Sequence, residues 1–307
     1  MLHDPTPDAE KRRRLRARLG TGEPLVLPGA FNPLSAMLAE RHGFAGLYLS
    51  GAVMAADLGL PDVGLTTLSE VATRAAQVAR VTALPVVVDA DTGFGEPMNV
   101  ARTVQLLEDA GVAGLHLEDQ VNPKRCGHLE GKQVVAREDA VRRVRAAASA
   151  RRDPNLLLIA RTDARAVEGL DGAIDRALAY VEAGADAVFP EALRTEEEFA
   201  AVRRALDVPL LANMTEFGQG PALGVDDLRR LGYDMVIFPV SLLRLAMGAA
   251  DRALATLARE GRLMGLLEEM QTRADLYDLV DYAGYQAFDA DVFGFPIPGV
   301  ADPGGLA

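Results

Sequence analysis

The segment Asn122-Pro123-Lys124-Arg125-Cys126-Gly127-His128 holds the single cysteine of the 307-residue chain among cationic neighbours, with glycine beside it. A cysteine kept for packing would sit in an apolar strand or helix. Cations beside a thiol favour the thiolate and make its proton easier to give up. Cys126 then serves as a general acid or as a nucleophile, or else is an incidental exposed thiol. A second concentration of chemistry is acidic. Asp89 and Asp91 follow the apolar run Val86-Val87-Val88 and precede Gly93-Phe94-Gly95. At that spacing on one strand, both carboxylates project to the same face. Glu118 ends the neighbouring apolar run. Carboxylates gathered on one rim repel each other unless a positive centre lies among them. A hard divalent cation with oxygen ligands, such as magnesium, answers that need. The alternative for Asp91 is a cap on the helix beginning near Pro97.

Arg161 also closes a very apolar run, Leu156-Leu157-Leu158-Ile159. It either clamps a substrate carboxylate through paired hydrogen bonds or forms a salt bridge with Asp163 or Glu191. Asn213 and Thr215 either bind a carboxylate or satisfy loop backbone. His116 shares a face with Glu118 and is read as an interior supporting residue. His42 ends a helix, where a histidine suits the dipole.

These groups need elements to position them. Short β-branched or Leu-rich runs recur at Pro24–Pro28, Ala45–Ser50, Pro85–Asp89, Ala113–Glu118, Asn155–Arg161, Asp186–Pro190, Val208–Ala212 and Asp234–Pro239. Between them lie helical patterns at Pro33–His42, Leu68–Val81, Met98–Ala110, Arg137–Arg151, Leu170–Ala183, Thr195–Leu206, Val225–Leu231 and Ser241–Glu260. Strands with so few polar residues are expected where both faces of a parallel sheet are covered. Glycines such as Gly111, Gly184 and Gly232 mark helix ends. The reading is an α/β chain folded as a (β/α)8 TIM barrel, whose functional groups belong at the C-terminal strand ends. Almost every such end carries a charged or hydrogen-bonding group. An open doubly wound sheet is the competitor, and no G-x-G-x-x-G follows the first strand to support it. Residues 1–307 are read as one domain. Residues 1–23 are an N-terminal helical extension, 24–260 the barrel core, and 261–307 a C-terminal extension. That extension holds a helical stretch over Arg262–Tyr285 and an irregular tail over Phe293–Ala307.

The formal net charge of −12 excludes a duplex-binding surface, which should be basic overall. The basic run Lys11-Arg12-Arg13-Arg14 is read as the solvated start of an N-terminal helix. One cysteine permits no intrachain disulfide, which favours a reducing, cytoplasmic setting. No signal peptide and no membrane-spanning run is expected.

Four segments together carry a family resemblance. They are Tyr48-Leu49-Ser50-Gly51, Val88-Asp89-Ala90-Asp91-Thr92-Gly93-Phe94-Gly95, Gly114-Leu115-His116-Leu117-Glu118-Asp119-Gln120 and Lys124-Arg125-Cys126-Gly127-His128. The chain resembles the isocitrate lyase and phosphoenolpyruvate mutase superfamily from about Leu25 to Tyr285, including Met270-Gln271-Thr272-Arg273. The cysteine loop resembles the lyase branch, and the compact length resembles lyases that accept a methyl-bearing substrate. The resemblance implies magnesium, or manganese in its place, held by Asp89 and Asp91 with Glu118 bound through water or close by. It implies substrate contacts from Tyr48, Ser50, Gly51, Ala52, Asp62, Cys126, Gly127, Arg161, Glu191, Asn213, Thr215, Arg244 and Arg273. Family members often have glycine where Ala52 stands. Catalytic roles fall to Cys126, Arg161 and His128. Phe189 and Pro239 match positions where methyl-accepting enzymes differ from isocitrate lyases. The implied activity is cleavage of a small polycarboxylate, 2-methylisocitrate, to pyruvate and succinate by a homotetramer with exchanged C-terminal helices. Phosphonate chemistry, a related acid such as isocitrate or 2,3-dimethylmalate, and a non-catalytic metabolite-binding barrel are the rival readings.

Overall fold

The computed structural model describes residues 6–127 and 131–293. In chain order the elements are α1 (Asp8–Arg18), β1 (Leu25–Pro28), α2 (Pro33–Arg41), β2 (Leu47–Leu49), α3 (Gly51–Asp57), α4 (Leu68–Ala79) and β3 (Val86–Asp89). Next come α5 (Pro97–Asp109), β4 (Gly114–Glu118), α6 (Arg137–Ala150), β5 (Leu157–Thr162), α7 (Arg165–Glu182) and β6 (Ala187–Pro190). The remainder are α8 (Glu196–Ala205), β7 (Leu211–Asn213), α9 (Val225–Arg230), β8 (Met235–Phe238), α10 (Ser241–Glu260), α11 (Arg273–Leu279) and α12 (Tyr282–Phe293), with a 3-10 helix at Met264–Glu269.

All strand pairings are parallel. β2 to β6 pair in sequence, and β8 lies between β1 and β7. Single parallel bridges, Gly29 with Tyr48 and Val188 with Leu210, join the two groups and close the ring. The chain is a (β/α)8 barrel, as the alternating pattern predicts.

Strand alternation sorts the side chains. Leu27, Tyr48, Val87, Ile159, Phe189, Leu211 and Ile237 fill the barrel interior. Their neighbours Leu49, Val86, Val88, Leu115, Leu117 and Leu158 pack outward under the helices. In β4 the same alternation sends His116 and Glu118 inward with the interior set. Helix starts are specified locally. Thr67 and Glu70 form a capping box at α4, and Asn32 and Ser35 form one at α2.

The structure corrects the reading of the N-terminal basic run. Lys11 and Arg12 are buried, not solvated. α1 plugs the N-terminal mouth of the barrel through Leu15, which is fully buried with the interior cluster. Burial of that side chain stabilises the fold by about 1.5–3 kcal/mol. The two cations then meet buried carbonyls at and just beyond the ends of neighbouring helices. Lys11 Nζ donates to Ala79 O at 2.8 Å and Thr82 O at 2.6 Å, at the end of α4. Arg12 donates to Glu108 O at 2.7 Å and Val112 O at 3.0 Å, at the end of α5. Ala79 and Glu108 lie in the last turns of α4 and α5, and Thr82 and Val112 in the turns just beyond; cations suit the negative end of the dipole there.

Two further differences concern helices. α3 follows β2 directly, where the pattern gave no helix. The stretch read as helical over Arg262–Tyr285 divides into the 3-10 helix, α11 and the start of α12. The tail from residue 294 lies outside the described residues. Among the described residues, no helix is long and apolar enough to cross a membrane.

Candidate active site

A cavity opens at the C-terminal ends of the strands. Tyr48 from β2, Asp89 from β3, Arg161 from β5, Phe189 from β6, Asn213 from β7 and Ile237 from β8 all line it. Ser50, Ala52, Asp62, Lys124, Cys126, Gly127, Glu191, Thr215, Pro239 and Arg244 join them from the loops, α3 and α10. Most residues singled out in the sequence therefore share one space. Gly51 sits just behind, with its N–H donating to Asp89 Oδ2 at 3.1 Å. Arg273 begins α11 in the C-terminal extension and does not line this cavity within one chain. His128 lies outside the described residues.

Asp89 ends β3, but Asp91 does not continue the strand. Its φ is +46°, in the left-handed region. The same-face argument from a two-residue spacing is therefore corrected. The chain turns at Ala90, and the Asp91 N–H donates to Asp89 Oδ1 at 2.9 Å. Both carboxylates still converge. A Cβ placed on Gly51 would stand 2.8 Å from Asp89 Oδ2 and 3.1 Å from Asp91 Oδ1, so only glycine fits between them and α3.

Positive charge does lie among the acids, supplied by Lys124 and Arg161. Lys124 Nζ is 2.5 Å from Asp62 Oδ1 and 2.7 Å from Asp91 Oδ1. Its ammonium thus serves these two carboxylates. Surrounding acids, Glu118 and Asp91 foremost, raise the Lys124 pKa against the opposing effect of burial. Arg161 forms the salt bridge its sequence context allowed. Nε donates to Asp163 Oδ2 at 3.0 Å and Nη2 to Oδ1 at 3.2 Å. Its Nη1 lies 3.3 Å from Glu118 Oε2, and its guanidinium stacks over the Phe189 ring. Arg161 also lines the cavity, so pairing with Asp163 holds the group in place and leaves a face for an anion.

Burial separates the acids electrostatically. Asp89 is drawn down to about 2: burial opposes this, but His116, Lys124 and Arg161 outweigh it. Asp91 is pushed up to about 6, by burial and then by the charge of Asp89. Burial raises Glu118 well above the usual carboxylate range, and neither of its oxygens has a hydrogen-bond partner among the described residues. His116 is fully buried and held down to about 4 by burial, so it is neutral at ordinary pH. Its Nε2 lies 2.7 Å from Tyr48 Oη, and the two rings stack.

Among the described residues, no group of three or more His, Cys, Asp or Glu side chains forms a ready metal cluster. The donor chemistry nevertheless fits magnesium, which commonly takes one or two carboxylates and completes its shell with water and substrate oxygens. Asp89 and Asp91 supply adjacent hard oxygens, and Glu118 keeps two unbonded ones nearby. Along the cavity, Asp62, Asp89, Glu191 and Glu216 outnumber Lys124, Arg161 and Arg244. A polyanionic ligand entering that space calls for a further cation.

The cysteine loop is built as a closed excursion from β4. Its ends pair through Val121 N to Gln133 O and Val135 N to Asp119 O, each 2.9 Å. Gln120 grips its base, accepting from Arg125 N and donating to Arg125 O, both at 2.8 Å. Cys126 is half-buried and faces the cavity. Gly127 packs against the opposite wall: a Cβ there would fall 2.5 Å from both Arg161 Nη2 and Glu191 Cγ. Sequence reasoning missed Gln120. It also missed Glu216 and Phe217, which line the mouth, with Phe217 94% exposed beneath the Arg244 guanidinium. Asp119 follows the end of β4 but does not line the cavity. It instead turns away into a buried network with Thr162 Oγ1 at 2.7 Å and Tyr180 Oη at 2.8 Å.

A parallel barrel with acids, arginines and a looped thiol around one C-terminal mouth defines an enzyme for small carboxylate anions. Comparison with known proteins gives the family. A family model described as phosphoenolpyruvate phosphomutase matches residues 15–258, and the chain belongs to that family. A probable 2-methylisocitrate lyase of Corynebacterium glutamicum is 57% identical to it over 284 residues, 92% of each chain. The solved structure of an oxaloacetate acetylhydrolase superposes with a TM-score of 0.89 at 35% identity, covering 95% of this chain and 99% of that one. A 2,3-dimethylmalate lyase superposes at 0.87 with 36% identity, covering 98% and 99%.

Proposed function

We propose that the chain is a magnesium-dependent carbon–carbon lyase that cleaves 2-methylisocitrate to pyruvate and succinate. The observation that carries this reading is the cysteine loop seated over a cavity with Asp89 and Arg161 on its walls. Similarity at 57% identity to a probable 2-methylisocitrate lyase supports the substrate.

Asp89 and Asp91 would hold the magnesium, with Glu118 close by, and the ion would supply Lewis acidity toward the substrate hydroxyl. The bond that breaks joins the carbon bearing hydroxyl and methyl to the neighbouring carboxylate-bearing carbon. The hydroxyl gives its proton to a base of the site and becomes the pyruvate carbonyl, and that proton balances over the cycle the one delivered by Cys126. The electron pair of the broken bond passes to the succinate fragment as an enolate. Arg161, Asn213 and Thr215 stand on the cavity wall to bind the carboxylate where that charge accumulates. Cys126 delivers the thiol proton to the enolate carbon. Gly127, packed against Arg161 and Glu191, keeps the loop over the reacting carbon and limits stray protonation by water. Tyr48, Phe189, Ile237 and Pro239 form an apolar side of the cavity suited to the substrate methyl.

The assembly reading belongs here as well. Leu245, Leu254 and Met264 in the C-terminal region are 64–71% exposed, which supports a homo-oligomer, a tetramer with exchanged helices. Arg273 would then reach a site of a neighbouring copy. A cytoplasmic location accords with the single cysteine.

The test is turnover of 2-methylisocitrate, isocitrate, 2,3-dimethylmalate and phosphonopyruvate, each with magnesium and with EDTA. Pyruvate release from 2-methylisocitrate that needs the ion is expected. Equal or faster turnover of another acid would replace the substrate. Binding of all four acids without any product would favour a non-catalytic barrel.

A further inference from the structure

We propose that Lys132 is a positioning residue for the reaction, holding the cysteine loop in register with Arg161. The proposal rests on the reading of Cys126 as proton donor. Lys132 lies on the returning arm of the loop, and its side chain is buried, only 2% exposed. A buried ammonium persists only where acceptors surround it. Lys132 Nζ donates to the Gly127 carbonyl on the outgoing arm and to Asp163 Oδ1 at 3.0 Å. One cation therefore ties the loop to itself and to the end of β5.

Asp163 is a rigid anchor for that tie. It is fully buried, and its backbone N–H donates to Asp119 Oδ1 at 2.9 Å. Asp119 is in turn fixed by Thr162 and Tyr180. The carboxylate that receives Lys132 is the one that accepts both Arg161 bonds. Loop and substrate-binding arginine thus share a single acceptor. The backbone pairs of Val121 and Val135 fix only the loop base. Lys132 acts beside the residue that follows the thiol, where a small displacement changes the distance over which the proton moves. Gly127 has no side chain with which to hold its own place against Arg161.

The experiment compares Lys132→Met, Lys132→Arg and the parent protein, with Cys126 as the sole thiol for an iodoacetamide label. In Lys132→Met, kcat should fall by roughly tenfold to a hundredfold, with a smaller change in KM, as for a misplaced reacting group. Labelling of Cys126 in the substrate-free protein should rise about tenfold, reporting local opening of the loop. Lys132→Arg should recover much of both losses. A Lys132→Met protein with parental circular dichroism, kcat and labelling rate overturns the proposal. So does a fall in kcat without faster labelling, which would mean that Lys132 acts only on the Asp163–Arg161 charge. Should Lys132→Met fail to fold, Lys132→Gln, with a donor of shorter reach, is read in the same way. Failure of the proton-donor reading shows up separately, as turnover retained in Cys126→Ser; the labelling arm still reports what Lys132 does to the loop.

Discussion

At the N-terminal mouth of the barrel, Lys11 and Arg12 point their charges at backbone carbonyls of α4 and α5 within hydrogen-bond distance. At the C-terminal mouth, Glu118 is as deeply buried, yet neither oxygen finds a hydrogen-bond donor among the described residues. Asp91 there adopts a left-handed backbone that most residues avoid. Both mouths bury ionic groups. One satisfies them inside the chain, and the other leaves acceptor capacity and a left-handed backbone beside a cavity. The difference separates charge placed for stability from charge held ready for a ligand.

Substitutions at the two mouths should therefore have opposite signatures. The largest effect is expected from Cys126→Ser, with kcat down about 10²–10⁴-fold, the range lost with a general acid, and an unchanged melting temperature. Steady-state kinetics beside thermal unfolding checks this, and wild-type turnover would remove the acid role. Arg12→Met should behave in reverse. Loss of the buried Arg12 bonds to Glu108 O and Val112 O would cost about 2–3 kcal/mol in urea unfolding, while kcat at low temperature stays near the parental value. A variant as stable as the parent would mean that the lower mouth is not held by these bonds. The smallest expected effect sharpens the contrast. Glu118→Gln should raise stability by about 1 kcal/mol, because a buried acid is replaced by a neutral group. Its activity should fall, together with magnesium affinity measured by calorimetry. Loss of stability in that variant would show that the pairing of Glu118 with Arg161 outweighs its burial.

The strands were legible because parallel strands covered on both faces read as short apolar runs, as Val86–Val88 and Leu156–Ile159 do. Helix α10 was legible end to end, since its pattern and its closing Gly261 agree. Helix α3 was not. Seven residues starting at Gly51 are too few to display a helical period. Lys11 and Arg12 were misread because a sequence shows charge but not the carbonyl that will receive it. The convergence of Asp89, Arg161 and Cys126 on one mouth followed from their strand-end positions. The turn that brings Asp91 back beside Asp89 did not, since side-chain alternation applies only within the strand. Gln120 and Lys132 escaped notice for a related reason. Each acts on loop backbone, and backbone partners leave no trace in residue type.

The contacts of α1 also bear on the order in which the molecule assembles. Arg12 bonds across 100 residues to Val112, and Arg16 reaches Leu156 across 140. During synthesis α1 must wait, undocked, until the partner segments 100 to 140 residues downstream have followed it. Closing the barrel floor is then a long-range event that joins early and late segments, and such events slow folding. A bulky fusion placed ahead of α1 should consequently delay maturation more than it disturbs the finished enzyme.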